Sequence, residues 1–285
     1  MFHAELFTSS INTGAQLFQQ LTYFQSDAIL TPIINGVQVS TTLPAVHSVL
    51  PIGANLVQVR AQANSMLPFP YITMNPVNRG AVAESPPRIF DFSKWPLYLK
   101  PTEELDIFAT QNSGGAETDY VLVQFTDGIM NPIPVTVNPP SMPAAPTTPG
   151  RFFTAHWTDP ATALVGGSWT KVQPAFDRAL YAGSYALVGA RVKSATGLFF
   201  RMFPSFCPLW WPGGVCTQSY DGMDPYNQRY MNTFGMEPSG WGVWLNFYQN
   251  TPPAVEIFAT ANDAANTVEG WFDLVYIGPQ VQQGL

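Results

Sequence analysis

The chain carries nearly the same phrase twice. Asp106-Ile107-Phe108-Ala109-Thr110-Gln111-Asn112 returns as Glu256-Ile257-Phe258-Ala259-Thr260-Ala261-Asn262. The match extends in order on both sides. Upstream, Leu97-Tyr98 is answered by Phe247-Tyr248, with Pro101 near Pro252 and Pro253. Downstream, Val121, Val123 and Phe125 alternate as Phe272, Leu274 and Tyr276 do. Leu56-Val57-Gln58-Val59-Arg60-Ala61-Gln62 also resembles Leu187-Val188-Gly189-Ala190-Arg191-Val192-Lys193. A repeat longer than a solenoid unit means two copies of a domain rather than an array. In 285 residues that leaves two domains of roughly 130 residues each.

Strand and turn signals fill both copies. Val37-Gln38-Val39-Ser40-Thr41 and the 56–62 segment alternate with period two. Asn35-Gly36, Asn78-Arg79-Gly80, Ser113-Gly114-Gly115 and Asp127-Gly128 mark turns. The 27 prolines suit edges and loops and avoid helix interiors and central strands. Together these features predict an all-β sandwich or barrel in each copy. One exception is expected within residues 1–27. Ala15, Phe18, Leu21 and Phe24 recur at helical spacing, and Ser9, Ser10, Asn12 and Thr13 offer caps. This predicts a short N-terminal helix, packed on its own domain or against a neighbouring subunit. It has no Lys or Arg on a polar face, as a membrane-surface helix usually does.

The first domain is expected over 28–130, a Pro-rich linker over 131–150, the second domain over 151–280 and a tail over 281–285. A proline-rich connector is semi-rigid and spaces the domains. Matching Leu56 to Leu187 and Ile107 to Ile257 places roughly 20 extra residues in the second copy. Their expected site is a long loop near 206–241, holding Trp210, Trp211, Tyr220, Tyr226, Tyr230 and Trp241. Such a loop is either a cap packed on itself or an interaction surface.

Charged residues make up 11% of the chain, and 46% is apolar. So little charge suggests a surface largely covered by other subunits, with a weakly charged secreted β-protein as the alternative. The net charge of −7 and the absence of any Lys/Arg cluster argue against direct nucleic-acid binding, which needs cations on phosphates. No segment reaches the length of a membrane span. The start, Met1-Phe2-His3-Ala4-Glu5-Leu6, lacks a signal-peptide pattern, so folding in the cytoplasm is expected.

No catalytic, cofactor or metal site emerges. His3, His47 and His156 are isolated in sequence, whereas cupin-type enzymes need clustered histidines with a carboxylate. Zinc-ligand spacing, a Gly-x-Ser-x-Gly elbow and a phosphate loop are all missing. Asp221 and Asp224 supply few of the oxygens calcium needs, so a self-bonded turn is the favoured reading. Glu103, Glu104 and Asp106 read as a solvated strand entrance, since neighbours on a strand face opposite ways. Cys207 and Cys216 either close a loop or remain separate thiols. The repeated Ile-Phe-Ala-Thr block is apolar on both faces and reads as core.

Tandem β-domains, a proline-rich connector, an aromatic loop, few charges and no catalytic cluster resemble the double jelly-roll major capsid proteins of tailless icosahedral viruses, membrane-containing bacteriophages among them. The family has no universal sequence motif, so the resemblance is architectural and covers roughly residues 28–280. It implies two tandem eight-stranded antiparallel jelly rolls. It also implies a homotrimer of pseudo-hexagonal outline that contacts neighbouring capsomers and minor capsid or vertex proteins. The protein would reside in the virion after synthesis in the host cytoplasm. An internal membrane or other proteins would separate shell from genome. The alternative from another class is a double jelly-roll carbohydrate-binding or glycan-processing protein, with Trp and Tyr of the 206–241 loop stacking on sugars.

Overall fold

The computed structural model describes residues 2–12, 17–24, 45–63, 71–74, 90–92, 97–99, 105–113, 115–126, 135–137, 152–203, 213–216, 243–265 and 267–278. The chain divides into two compact units, Met1–Met130 and Asn131–Leu285. All the regular elements described are strands.

In the first unit these are β1 (Phe2–Ile11), β2 (Gln19–Gln20), β3 (Thr22–Tyr23), β4 (Ala45–Ile52), β5 (Leu56–Gln62), β6 (Tyr71–Met74), β7 (Phe90–Asp91), β8 (Leu97–Tyr98), β9 (Asp106–Gln111) and β10 (Glu117–Thr126). The second unit has β11 (Val135–Val137), β12 (Phe152–Thr158), β13 (Ser168–Val172), β14 (Ala175–Phe176), β15 (Ser184–Lys193), β16 (Gly197–Phe203), β17 (Gly213–Val215), β18 (Val243–Tyr248), β19 (Ala254–Ala259) and β20 (Glu269–Gly278).

The strand order repeats between units. In the first, one sheet runs β3-β1-β10-β4-β7 with β8 also on β4, and the other runs β2-β9-β5-β6. In the second, the sheets run β11-β18-β15-β20-β12-β14 and β13-β19-β16-β17. Reduced to principal strands, the first strand of each unit neighbours the last, and the second neighbours the next-to-last. That is the double Greek-key winding of a jelly roll.

The copies agree in finer detail. Each has a chain segment that leaves the smaller sheet and joins the edge of the larger one, through β2 and β3 in one unit and β13 and β14 in the other. Each has a register shift between the third strand and the last (β4–β10, β15–β20) and another in the pairs β5–β9 and β16–β19. Bulges persist because they bend a strand and re-aim its side chains.

The expected N-terminal helix is not formed in the described residues. Phe2–Ile11 is a strand paired along its whole length with β10. Ala4, Glu5, Leu6 and Phe7 are all buried, and a strand buried on both faces loses the period-two signal. The helical spacing of Phe18, Leu21 and Phe24 comes from the corner between sheets. Leu21 donates its N–H to Ile107 O in the smaller sheet at 2.7 Å, and Phe24 donates to Leu6 O in the larger at 2.8 Å. Ala15 lies outside the described residues.

The strand order also corrects one matched block. β5, in the smaller sheet, corresponds by topology to β16, and β15 corresponds to β4. Leu56–Gln62 and Leu187–Lys193 share the spelling Leu-Val-x-x-Arg but are not the same strand: the first alternates between buried and half-buried residues, and the second is buried almost throughout its described side chains. Ala61 pairs with Ile107 as Phe200 pairs with Ile257. The segment 61–107 therefore answers to 200–257, and the second copy's excess here is about half of the roughly 20 residues inferred from sequence. Residues 135–137 of the Pro-rich stretch form β11, which pairs parallel to β18 at the edge of the second unit's sheet.

The cores differ in texture. In the second unit Phe272 packs between Trp157 (ring centroids 5.6 Å apart) and Phe176 (5.8 Å). Tyr185 stacks on Phe247 at 5.8 Å. The first unit's buried residues are mainly aliphatic, with Leu6, Val49, Leu50, Val59, Ile107 and Val121 fully covered. In the repeated block, Ile107, Ala109, Ile257, Phe258 and Ala259 are buried and Phe108 is half-buried.

Candidate functional site

Most residues singled out by sequence lie outside the described residues: Glu103, Glu104, Cys207, Asp221, Asp224 and the six aromatics of the 206–241 loop. Cys216 is described. It is a buried free thiol, and burial pushes its pKa far above the ordinary value. Asp106 accepts a hydrogen bond from Gln20 Nε2 at 2.7 Å, consistent with a strand entrance.

The structure assembles one constellation that the sequence did not show. His156, isolated in sequence, sits on β12 between two carboxylates. Its Nδ1 is 2.6 Å from Asp177 Oδ2, and its Nε2 is 3.2 Å from Glu269 Oε2. Glu269 Oε1 accepts from Lys193 Nζ at 2.5 Å, and the imidazole lies 4.7 Å from the Trp271 ring. β20 pairs with both β12 and β15, which brings Glu269 beside Thr158 and Lys193. Long-range antiparallel pairing made this group, and no local motif announces it.

The group does not resemble a hydrolytic triad. Both ring nitrogens face carboxylate oxygens, so neither is open to take a proton from a nucleophile. Nor do the carboxylates converge on one point. Among the described residues no cluster of three or more His, Cys, Asp or Glu side chains could hold a metal ion. The arrangement instead ties β12, β20, β15 and the residue following β14 by charge and hydrogen bonds.

Two further ion pairs are buried more deeply. Arg191 Nη2 donates to Asp273 Oδ1 at 2.7 Å, with side chains 9% and 1% exposed. Arg201 Nε donates to Glu256 Oε2 at 2.7 Å, and its guanidinium lies 4.3 Å from the Trp169 ring centroid. Pairing is what makes buried charge tolerable.

The first unit has a polar node where β1 ends and β10 begins. Gln111 Nε2 donates to Ile11 O at 2.5 Å and to Gly115 O at 2.9 Å. Asn112 N–H donates to Asn55 O at 3.0 Å, and Asn55 Nδ2 donates to Glu117 Oε1 at 2.5 Å. Asp119 belongs to the same end, fully buried, and neither of its carboxylate oxygens has a hydrogen-bond partner.

No protein-family model and no curated protein matches this chain. Three solved structures resemble it at 8% identity. The major capsid protein P2 of bacteriophage PM2 aligns over 99% of this chain and 99% of its own, with a TM-score of 0.23. The PBSX exported protein XepA aligns over 95% and 86%, with a TM-score of 0.28. The STIV MCP aligns over 98% and 99%, with a TM-score of 0.23. Viral major capsid proteins are thus among the likenesses.

Proposed function

We propose that this chain is a structural coat protein, the major capsid protein of a tailless icosahedral virus. The observation that supports the reading most is the jelly roll wound twice in one chain, repeated down to the sheet-switching corner and the bulges. Jelly rolls serve coats, lectins and cupins, and fold alone does not choose among them. The chemistry narrows the choice. A cupin needs converging metal ligands, and His156, the one histidine whose side chain is described, is occupied by two carboxylates. A sequence with 11% charged residues loses little on being surrounded by copies of itself, since large obligate interfaces are apolar.

On this reading three chains form a trimer with six barrels and a pseudo-hexagonal outline, which tiles a shell with its neighbours and with minor or vertex proteins. The protein resides in the virion, carries out no catalysis and makes no direct contact with the genome. Light scattering on the purified protein tests the assembly: a species near three times 31.3 kDa, or larger, is expected. A stable monomer that binds a glycan array would favour the carbohydrate-binding alternative and overturn this one.

A further inference from the structure

Asp119 is 0% exposed, and Oδ1 and Oδ2 both lack a hydrogen-bond partner. A carboxylate buried this way is costly when charged, because no donor of the chain replaces its lost hydration. Its neighbours make this worse. Glu117, two residues earlier on β10, points to the same side by the period of a strand. Its Oε2 is likewise buried and without a partner.

The carboxyl is also wedged in place. A Cβ added at Gly53 would lie 2.0 Å from Asp119 Oδ1, so Asp119 occupies the space a side chain at residue 53 would fill. Among the described residues, the elements beside it bring no counter-charge. β1 contributes Ser9 opposite Asp119, and Thr8 Oγ1 donates to the Asp119 backbone carbonyl at 2.9 Å. The turn after β4 contributes Gly53, and the polar residues at this end of the unit, Asn55, Gln111, Asn112 and Ser113, bond to one another and to Glu117. Apart from Glu117, none of these titrates. Glu117 is the one charged group acting on Asp119 among the described residues, and Tyr120 is the adjoining titratable group.

We propose that Asp119 is a proton-operated latch: neutral, it lets β10 close on the turn at residues 53–55, and ionised, it loosens that closure. Burial first, and repulsion from Glu117 second, push its pKa up to about 7 from an ordinary 3.8. The folded state therefore holds its proton more tightly than an open state does. The closure is strongest below about pH 4 and weakens as pH rises to about 7, above which the loss is complete.

Hydrogen exchange on the full-length protein reads this directly. With the site open at pKa 3.8 and closed at about 7, the opening constant rises about tenfold between pH 6 and pH 8. After correction for intrinsic exchange, amides of residues 53–56 and 112–119 should lose about that factor of protection. Asp119→Asn should abolish the change. Amides of β19 in the second unit serve as the control. A wild-type protein without the loss, or an Asn variant that keeps it, would overturn the latch. Should Asp119→Asn fail to fold, Glu117→Gln in the same assay must move the midpoint to lower pH. An unmoved midpoint would equally overturn the proposal.

Discussion

The Arg191–Asp273 pair offers the sharpest energetic test of the second unit. At 2.7 Å and an effective dielectric of about 20, the direct attraction is about 6 kcal/mol. Desolvating two buried ions costs several kcal/mol each, so the net contribution of the intact pair is near zero. Removing one partner is different, because it leaves the other charge buried and alone. Asp273→Leu and Arg191→Met should each destabilise by about 3–5 kcal/mol. Arg191→Met combined with Asp273→Leu should return to within about 1 kcal/mol of the starting protein, or exceed it. Asp273 Oδ1 also accepts from Thr154 Oγ1 at 2.8 Å, but Thr154 is exposed and water can replace that bond. Urea unfolding followed by tryptophan fluorescence suits the question, since every tryptophan except Trp95 lies beyond residue 130. The cycle should give a coupling energy above about 3 kcal/mol. Single variants costing less than about 1 kcal/mol each, and adding in the double, would refute the reasoning.

Gly270→Ala should destabilise the second unit by about 1–3 kcal/mol, because the new Cβ would lie 2.4 Å from Trp157 Cζ2 and 2.6 Å from Arg191 O; thermal unfolding checks this. Leu21→Ala should cost about 2–5 kcal/mol in the first unit, since Leu21 is only 2% exposed at the corner between sheets; urea unfolding followed by far-ultraviolet circular dichroism reads it. Cys216 should stay unlabelled by a thiol reagent in the folded protein and react on unfolding, because it is buried and its thiolate is disfavoured; peptide mass spectrometry follows it. Between about pH 4 and pH 7 the wild-type protein should lose stability that Asp119→Asn keeps, a difference of up to about 4 kcal/mol; paired denaturation curves across that range measure it.

The duplication and the all-β class were legible because turn residues and a long matched block are local signals. The first strand was not, because Ala4 to Phe7 are buried on both faces and so show neither a helical nor an alternating period. Leu21 and Phe24 gave a false helical stripe, since a corner that serves two sheets spaces its apolar residues as a helix does. The confusion of β5 with β15 has a related cause: both spell Leu-Val-x-x-Arg, and a short shared spelling does not say where a strand sits in the winding. His156 and Glu269 stand 113 residues apart, so only the pairing of β12 with β20 joins them. Nothing in the sequence singles out Asp119, the third residue of β10. What sets it apart is the missing partner, and a missing partner leaves no mark in a sequence.

Electron microscopy of the purified, assembled protein tests the central claim most directly. The coat reading predicts units of pseudo-hexagonal outline, each with six barrel densities from three chains, and closed shells when they associate. Isolated two-lobed particles at every concentration, with no trimers and no shells, would contradict it.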